Sequence, residues 1–521
     1  MSREDSVEIP TLSDLIRVQA TLKPHVEALV ADGRRWTYSA LDRGIRRIAG
    51  ALLAGHPDLA PGERVLLMAP TSDSFVIGYF ALLHLGAVPV PLSPRLHEVE
   101  LLAHARDCQA RLLLADASAG DVVRETFIRA FGGRVMRLDP RRQQVSWQAA
   151  SGEDPFVPYF DLPYEATPAA FAVEPDAIAT ILYSSGTTGE PRGIALSHRA
   201  LLAGARAVTD ALPPASAPST AIVLPLHHAY PLVAQLLSTL LVGGFVQLFR
   251  GLAFPFPVLQ EMQREAVSSF AGVPATFRAL AALDDLAELD LGEVKHVLCG
   301  GAPLAPDDEE AIRKVFPGAR VFDVYGQTEA GPVALIAQGE PGFATGRFAR
   351  PFPGVCLRIV GDDGPLEQGE VGTVEVQSPF LMRGYWQGPA EAREGAPGWH
   401  ATGDLGFLDA EGALHLIGRH EEVIVSGSEK VSPREVESVL LRHPGIKEAA
   451  VLGVTDRAHG QRIVAWVVAA ASDIDPAAAQ RHCEQYLAHH KCPREVRLLD
   501  TLPRTASGKV HRALLHEWSQ G

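Results

Sequence analysis

Short apolar runs recur along this chain with helix-patterned segments between them: Val65–Met68, Val88–Leu92, Arg111–Ala115, Ile178–Tyr183, Ile222–Leu226, Phe245–Leu248, Ser268–Val273, His296–Leu298 and Arg320–Val324. Strands that alternate with helices in this way pair in parallel through crossover helices, and parallel sheets are buried on both faces. The pattern therefore predicts an α/β fold with βαβ sheets. Ligands of such sheets sit beyond the carboxyl ends of the strands. Several of the runs end in small or polar residues: Ser184-Ser185, His227-His228, Gly272, Gly300-Gly301 and Tyr325-Gly326. One cleft lined by those strand ends is the economical expectation.

A chain of 521 residues is too long for one core. From about residue 351 the texture changes to short alternating strands, Leu357–Val360, Thr373–Gln377 and Leu414–Ile417. They are joined by turns at Asp362-Asp363-Gly364 and at Asp409 to Gly412, which predicts a small antiparallel unit. Beyond Arg419 the segment has its own helix and strand pattern and reads as a separate, mobile α+β lid. The expected domains are therefore 1–419 and 420–521. Near the start, residues 36–56 predict a short strand and a helix capped by Ser39.

Composition excludes several classes. The net charge of −15 argues against nucleic acid as a partner, and 47% apolar with 21% charged residues is the balance of a soluble globular chain. Five scattered cysteines (Cys108, Cys299, Cys356, Cys483, Cys492) suit free thiols in a reducing cytosol, so a cytoplasmic protein is expected. The first residues lack the apolar core of a signal peptide. Ser74–Pro94 and Pro231–Phe249 approach the ~20 residues of a spanning helix. Both are interrupted, by Gly86 and three prolines and by Gly243-Gly244, so no transmembrane segment is expected. His482, Cys483, His489, His490 and Cys492 crowd together, but their spacing matches no zinc-ligand pair, and no metal is assigned to them.

The loop after Ile178–Tyr183 is the most informative stretch. It offers the hydroxyls of Ser184, Ser185, Thr187 and Thr188, the glycines Gly186 and Gly189, and the cation Arg192, with glycine-freed N–H groups that suit a polyphosphate. Alone, such a cluster is also the composition of a surface turn. A Walker A loop is absent, since the only Gly-Lys step, Gly508-Lys509, is followed by Val510.

The string Tyr183-Ser-Ser-Gly-Thr-Thr-Gly-Glu-Pro-Arg-Gly resembles the phosphate loop of the adenylate-forming superfamily, which holds acyl-CoA synthetases, adenylation domains and luciferases. Further motifs carry the same resemblance as far as about residue 515. Tyr325-Gly326-Gln327-Thr328-Glu329 is similar to the family signature. It implies Tyr325 against adenine beside Gly326, Thr328 near the α-phosphate as a catalytic residue, and Glu329 with Thr188 holding Mg2+. Gly300-Gly301-Ala302 resembles the adenine-side loop. Trp399-His400-Ala401-Thr402-Gly403-Asp404 resembles the segment whose aspartate accepts the ribose hydroxyls, here Asp404. Gly418-Arg419 resembles the hinge, which implies Arg419 near ribose and phosphate and Glu421 at the pivot. The segment ending in Ser507-Gly508-Lys509 resembles the motif whose lysine, here Lys509, contacts the carboxylate and phosphate.

The resemblance implies ATP-dependent activation of a carboxylic acid as acyl-AMP, then transfer to a thiol, that of coenzyme A or of a carrier protein's phosphopantetheine. A catalytically silent nucleotide-binding protein is the remaining alternative. His228 aligns with a position bordering the acid's carboxylate, and Gly272 and Cys299 are expected to complete the acyl pocket. Residues 221–249 contain no Asp or Glu, so an acid without an α-amino group is expected. Two positions depart from the family pattern: Arg192 stands where lysine is usual, and Ser428 where a glycine is common. Residues 481–512 hold seven Arg or Lys (Arg481, Lys491, Arg494, Arg497, Arg504, Lys509, Arg512) against Glu484, Glu495 and Asp500. Such a basic face would suit either acceptor.

Overall fold

A computed structural model describes residues 9–520 apart from 140–141, 143, 159–170, 185–191, 214–217, 303, 344, 387–397, 420–423, 427–428, 432, 457–459, 471–473, 488–490 and 505–509. The apolar runs build two sheets with parallel centres. In the larger, Arg320–Gln327, His296–Gly300, Ser269–Gly272, Ser219–Ile222, Phe245–Leu248 and Glu27–Ala31 are neighbours in that order, all parallel. Gly331–Ala337 and Arg34–Thr37 add antiparallel strands at its two sides. In the smaller, Val88–Leu92, Arg64–Met68, Leu112–Asp116 and Arg134–Asp139 run parallel.

Between the two sheets lies the helix Asp73–His84, which contacts strands of both and has all of its side chains buried. Each large apolar side chain buried there contributes about 1.5–3 kcal/mol. This position explains the uncharged stretch at Ser74–Pro94: it is apolar all round because sheet covers it on both sides. Its N-cap is Ser72, whose hydroxyl accepts the Phe75 N–H at 3.4 Å. Among the described residues, no helix is long and apolar enough to cross a membrane.

Three local expectations are corrected. Ile178–Ser184 is not a member of a parallel sheet: it pairs antiparallel with Arg192–Ser197, which pairs antiparallel with Gly384–Tyr385. The connection through residues 185–191 is too short for a parallel crossover, which needs a dozen or more residues. The run at Ile222–Leu226 is instead a strand at Ser219–Ile222, since Pro225 has no N–H to give a ladder. The helix Tyr38–Gly55 is capped by Thr37, whose side chain accepts the Ala40 N–H at 3.2 Å, while Ser39 lies inside the first turn and accepts from Arg43.

The antiparallel unit forms as the alternation predicts. Arg347–Phe348, Leu414–Arg419, His400–Leu408, Gly372–Gln377, Cys356–Gly361 and Gly364–Pro365 pair in that order. The last part of the chain is a small α+β unit. A long hairpin, Ile446–Asp456 with Gly460–Ala469, is joined by Glu495–Leu499 and flanked by the helices Pro433–Leu440, Pro476–Tyr486 and Arg512–Gln520.

The basic face expected over 481–512 is largely neutralised by ion pairs, three of them with acids distant in sequence. Lys491 pairs with Glu435, Arg504 with Glu448, Arg512 with Glu437, Arg481 with Asp475, and Arg497 with Glu495. Most of those acids precede the segment, so a count within it misses them. In the His/Cys cluster, His482 Nε2 lies 3.0 Å from the Val439 carbonyl and Cys483 is buried in the core; His489 and His490 lie outside the described residues.

Candidate active site

The hairpin sets Tyr183 opposite Gly193 and Ser184 opposite Arg192, so these four residues form the stem of the candidate phosphate loop. Ser185, Gly186, Thr187, Thr188 and Gly189 lie outside the described residues. The stem is anchored from outside the motif. Tyr183 donates its hydroxyl to the Asp107 carboxylate, and Trp386 Nε1 donates to the Asp107 carbonyl at 3.1 Å. A Cβ at Gly193 would stand 2.9 Å from Ile181 and 3.1 Å from Trp386, closer than a side chain tolerates. The guanidinium of Arg192 lies 5.8 Å from the Tyr385 ring centre.

Arg320–Gln327 carries its motif to the carboxyl end of the larger sheet. There it turns through residues 328–330 into Gly331–Ala337. Gly326 is required at this turn, because a Cβ would come within 2.7 Å of the Gly331 carbonyl. Tyr325 donates its hydroxyl to Asp404 Oδ2 at 2.5 Å, and Gln327 Nε2 donates to the same oxygen at 2.6 Å and to the Thr402 carbonyl at 3.0 Å. Asp404 comes from the antiparallel unit, where it is in register with Arg419, whose Nε lies 3.5 Å from Asp404 Oδ1. Asp404 is buried while Arg419 is 45% exposed, so the cluster has a dry base and an open rim. Burial and the adjacent Asp404 charge hold the Tyr325 phenol far above its ordinary pKa, which keeps it a neutral donor.

Thr328 and Glu329 share the turn. The Glu329 carbonyl accepts the Met382 N–H at 2.8 Å, and its carboxylate lies 3.4 Å from the Tyr385 hydroxyl. The fold thus brings Arg192, Tyr325, Thr328, Glu329, Asp404 and Arg419 to the ends of adjoining ladders. Lys509 and Glu421 lie outside the described residues.

On the acid side, Gly300 ends its strand against Tyr230 and Val324. A Cβ at Gly300 would stand 2.6 Å from Val324 Cγ2 and 3.3 Å from Tyr230 Cζ. Tyr230 donates its hydroxyl to the Leu298 carbonyl at 3.2 Å. Gly301 has a φ of +76°, and it and Ala302 are exposed. His227 and His228 pack ring to ring at 4.4 Å, and burial followed by His228 pulls His227 down to about 3, so it is neutral at pH 7.

Gly272 and Cys299 are in register on neighbouring strands. The Cys299 side chain is fully buried with Phe270 and Phe277, in a core separate from the one that receives Leu298 and Tyr230. Strand alternation puts Cys299 on the opposite face of the sheet from Leu298 and Gly300. The structure therefore gathers Tyr230, Gly300 and Val324, with His228 two residues before Tyr230 in the chain, and does not bring the Cys299 side chain among them.

Asp323 is 2% exposed two residues before Tyr325. Burial pushes its carboxyl up to about 7 from 3.8, with the Val324 N–H opposing in part and Asp308 adding to the rise. A carboxyl whose folded pKa is raised favours the fold fully below about pH 4, and this contribution is lost as pH rises through 7. Asp323→Asn, which keeps an acceptor for the N–H, is expected to match the wild type in thermal denaturation at pH 4. At pH 8 it is expected to be more stable by on the order of 2–4 kcal/mol. Equal melting differences at the two pH values would contradict the shift.

A parallel sheet whose strand ends carry a shared tyrosine–aspartate cluster, beside the stem of a loop whose sequence is rich in hydroxyls and glycines, is an arrangement suited to an enzyme that handles a nucleotide. Residues 16–386 match the family model described as AMP-binding enzyme, and residues 435–509 match the AMP-binding enzyme C-terminal domain. Feruloyl-CoA synthase of an Amycolatopsis species is 34% identical over 496 residues, covering 94% of this chain and 96% of that protein. Sulfoacetate–CoA ligase of Cupriavidus necator is 32% identical over 527 residues, 99% of each chain. The crystal structure of ATP-bound MatB from Rhodopseudomonas palustris superposes with a TM-score of 0.85 at 27% identity, over 98% of this chain and 99% of that one. The chain belongs to the AMP-binding enzyme family and is an AMP-forming acid–thiol ligase.

Tyr385, Gln327 and the burial of Asp323 were not foreseen from the sequence. Gly384-Tyr385-Trp386 offered a signal, an aromatic pair after a glycine in a stretch with no helical or strand period.

Proposed function

We propose that this enzyme joins an acyl or aryl acid lacking an α-amino group to AMP and then transfers the acyl group to the thiol of coenzyme A. The observation that carries the reading is the Asp404 cluster next to Glu329 and Arg192. In the first step a carboxylate oxygen attacks the α-phosphorus of ATP and pyrophosphate leaves. In the second, a thiolate attacks the acyl carbon and AMP leaves. Both reactants of the first step are anions, so it needs positive charge fixed in advance, supplied by Arg192 and Lys509. Asp404 accepts the ribose hydroxyls, Tyr325 lies against adenine, and the peptides of Gly300, Gly301 and Ala302 border it. Ser184, Ser185, Gly186, Thr187, Thr188 and Gly189 cradle the phosphates, and Thr328 lies by the α-phosphate. Glu421 is the pivot between domains 1–419 and 420–521, about which the smaller one turns between the two steps.

The donor set fits Mg2+. Among the described residues no three His, Cys, Asp or Glu side chains gather as a ready-made metal site. Mg2+ characteristically takes one or two protein oxygens and completes its shell with water and substrate phosphates. Glu329 and Thr188 would hold it, and when bound it supplies positive charge at the phosphate oxygens.

The acid is argued from what surrounds it. Residues 221–249 contain no Asp, Glu, Lys or Arg, and His227 is neutral at pH 7. A substrate ammonium would find no counter-charge there, and neither would a second acidic group such as the sulfonate in one relative's name. An acid with an uncharged body follows, and the aryl acid of the feruloyl-CoA synthase relative belongs to that class. The ion pairs of Lys491, Arg504 and Arg512 reduce the basic face for either acceptor alike, and the choice of coenzyme A rests on relatives named for coenzyme A thioesters, feruloyl-CoA synthase and sulfoacetate–CoA ligase.

ATP–pyrophosphate exchange across cinnamic, benzoic, fatty and amino acids tests this, followed by coenzyme A with the best acid. Exchange with an uncharged-body acid and a thioester product are expected. Exchange confined to amino acids would overturn the substrate class, and exchange without thioester would redirect the acceptor to a carrier protein.

A further inference from the structure

Residues 382–386 belong to neither nucleotide motif, yet they are stitched to both. The Met382 N–H donates to the Glu329 carbonyl at 2.8 Å, the Arg383 N–H to Ala195 at 2.8 Å, and the Trp386 N–H to Gly193 at 2.7 Å. Gly384 and Tyr385 pair with Ala195 and Ile194 of the candidate phosphate hairpin. The φ of +139° at Gly384 is a conformation glycine adopts readily, and it carries the chain from the Glu329 turn onto that hairpin. The segment is therefore a splint between two loops that sequence separates widely.

We infer that Tyr385 is a positioning residue for the nucleotide half-reaction, spacing the Arg192 cation from the Glu329 carboxylate. This rests on the roles proposed above for those two residues. The Arg192 guanidinium lies 5.8 Å from the ring centre, and the phenol oxygen lies 3.4 Å from Glu329 Oε1. No ion pair joins the two charges directly. Left to meet, they would neutralise each other, and neither the phosphates nor a divalent cation would find its partner free. The ring instead holds the guanidinium by its face and the carboxylate by its hydroxyl. Burial and Glu329 raise the phenol's pKa, so it stays a neutral donor.

The test separates ring from hydroxyl. Tyr385→Phe keeps the face and loses the donor; Tyr385→Leu loses both. Two readouts are taken: calorimetric binding of a non-hydrolysable ATP analogue across a Mg2+ titration, and thioester formation from supplied acyl-adenylate. Tyr385→Phe is expected to raise the Mg2+ needed for half-maximal analogue binding by about 2–5-fold, the size of one ordinary, long hydrogen bond. Tyr385→Leu is expected to weaken analogue binding a further ~5-fold even at saturating Mg2+, the scale of a cation–π contact. Thioester formation stays at the wild-type rate in both. A Mg2+ dependence in Tyr385→Phe that superimposes on the wild type overturns the inference, as does an equal slowing of both half-reactions. Glu329→Gln is run in parallel. If it impairs Mg2+-dependent binding while Tyr385→Phe does not, the role of Tyr385 alone falls; if it has no effect, the reading of Glu329 falls and takes the inference with it.

Discussion

Lys509→Ala is expected to lower ATP–pyrophosphate exchange by about 10²–10³-fold, the cost of removing one preorganised charge from a developing transition state. The argument is electrostatic. A carboxylate must approach a triphosphate, and like charges a few ångströms apart in a partly dry site repel by several kcal/mol. Arg192 sits at the phosphate-loop stem beside Tyr385, so a second cation has to reach the acid from elsewhere. Lys509 is suited to that. The chain on either side of 505–509 is pinned, with Arg504 bridged to Val510 and the His511 N–H bonded to the Pro503 carbonyl at 2.7 Å. If the lid turns away after the first step, Lys509 has no part in thiol attack, so thioester formation from supplied acyl-adenylate is expected to stay within about threefold of wild type. Exchange that survived in the alanine variant would remove Lys509 from the reaction, and equal loss of both steps would mean the substitution acts through the fold.

Much of the architecture was legible because burial writes itself into local pattern. Strands buried on both faces are continuously apolar, as Val65–Met68 is, and surface hairpins alternate, as Thr373–Gln377 does. The unresolvable part was pairing. Ile178–Tyr183 is as apolar as a parallel strand because helices and the smaller sheet cover it. Only the length of its connection reveals an antiparallel partner. Charge counting failed for the same reason at 481–512, whose partners Glu435, Glu437 and Glu448 come from an earlier helix and strand.

The candidate site divides along the same line. Tyr325, Glu329 and Asp404 stand in strings whose order carries meaning, so their residue types could be read. Their mutual contacts could not. That Tyr325 and Gln327 both donate to Asp404 depends on a ladder from the antiparallel unit meeting the end of the larger sheet. Tyr385 is the extreme case, a residue whose proposed role lies wholly in contacts with Arg192, Ile194 and Glu329.

Asp404→Asn is expected to raise the KM for ATP about 10–100-fold with a smaller change in kcat, because the polar partners of this carboxylate among the described residues are donors. Oδ2 accepts from Tyr325 and Gln327, and Oδ1 faces Arg419. An asparagine must turn its NH2 toward one side or the other, and on either side it meets N–H or O–H groups. One buried donor then loses its acceptor at a cost of about 1–3 kcal/mol, with a tenfold effect for each 1.4 kcal/mol. The oxygen offered to the ribose is displaced or lost with it. Deoxy-ATP lacking the 2′- or 3′-hydroxyl separates recognition from mere disorder. The wild-type enzyme is expected to discriminate against the analogue it grips, and the asparagine variant to treat ATP and that analogue nearly alike. If the variant kept full discrimination while losing ATP affinity, Asp404 would be a scaffold for Tyr325 and Gln327, and the ribose would be held by another group. If the wild type did not discriminate at all, the cluster would position Tyr325 for adenine and the hydroxyls would go unread.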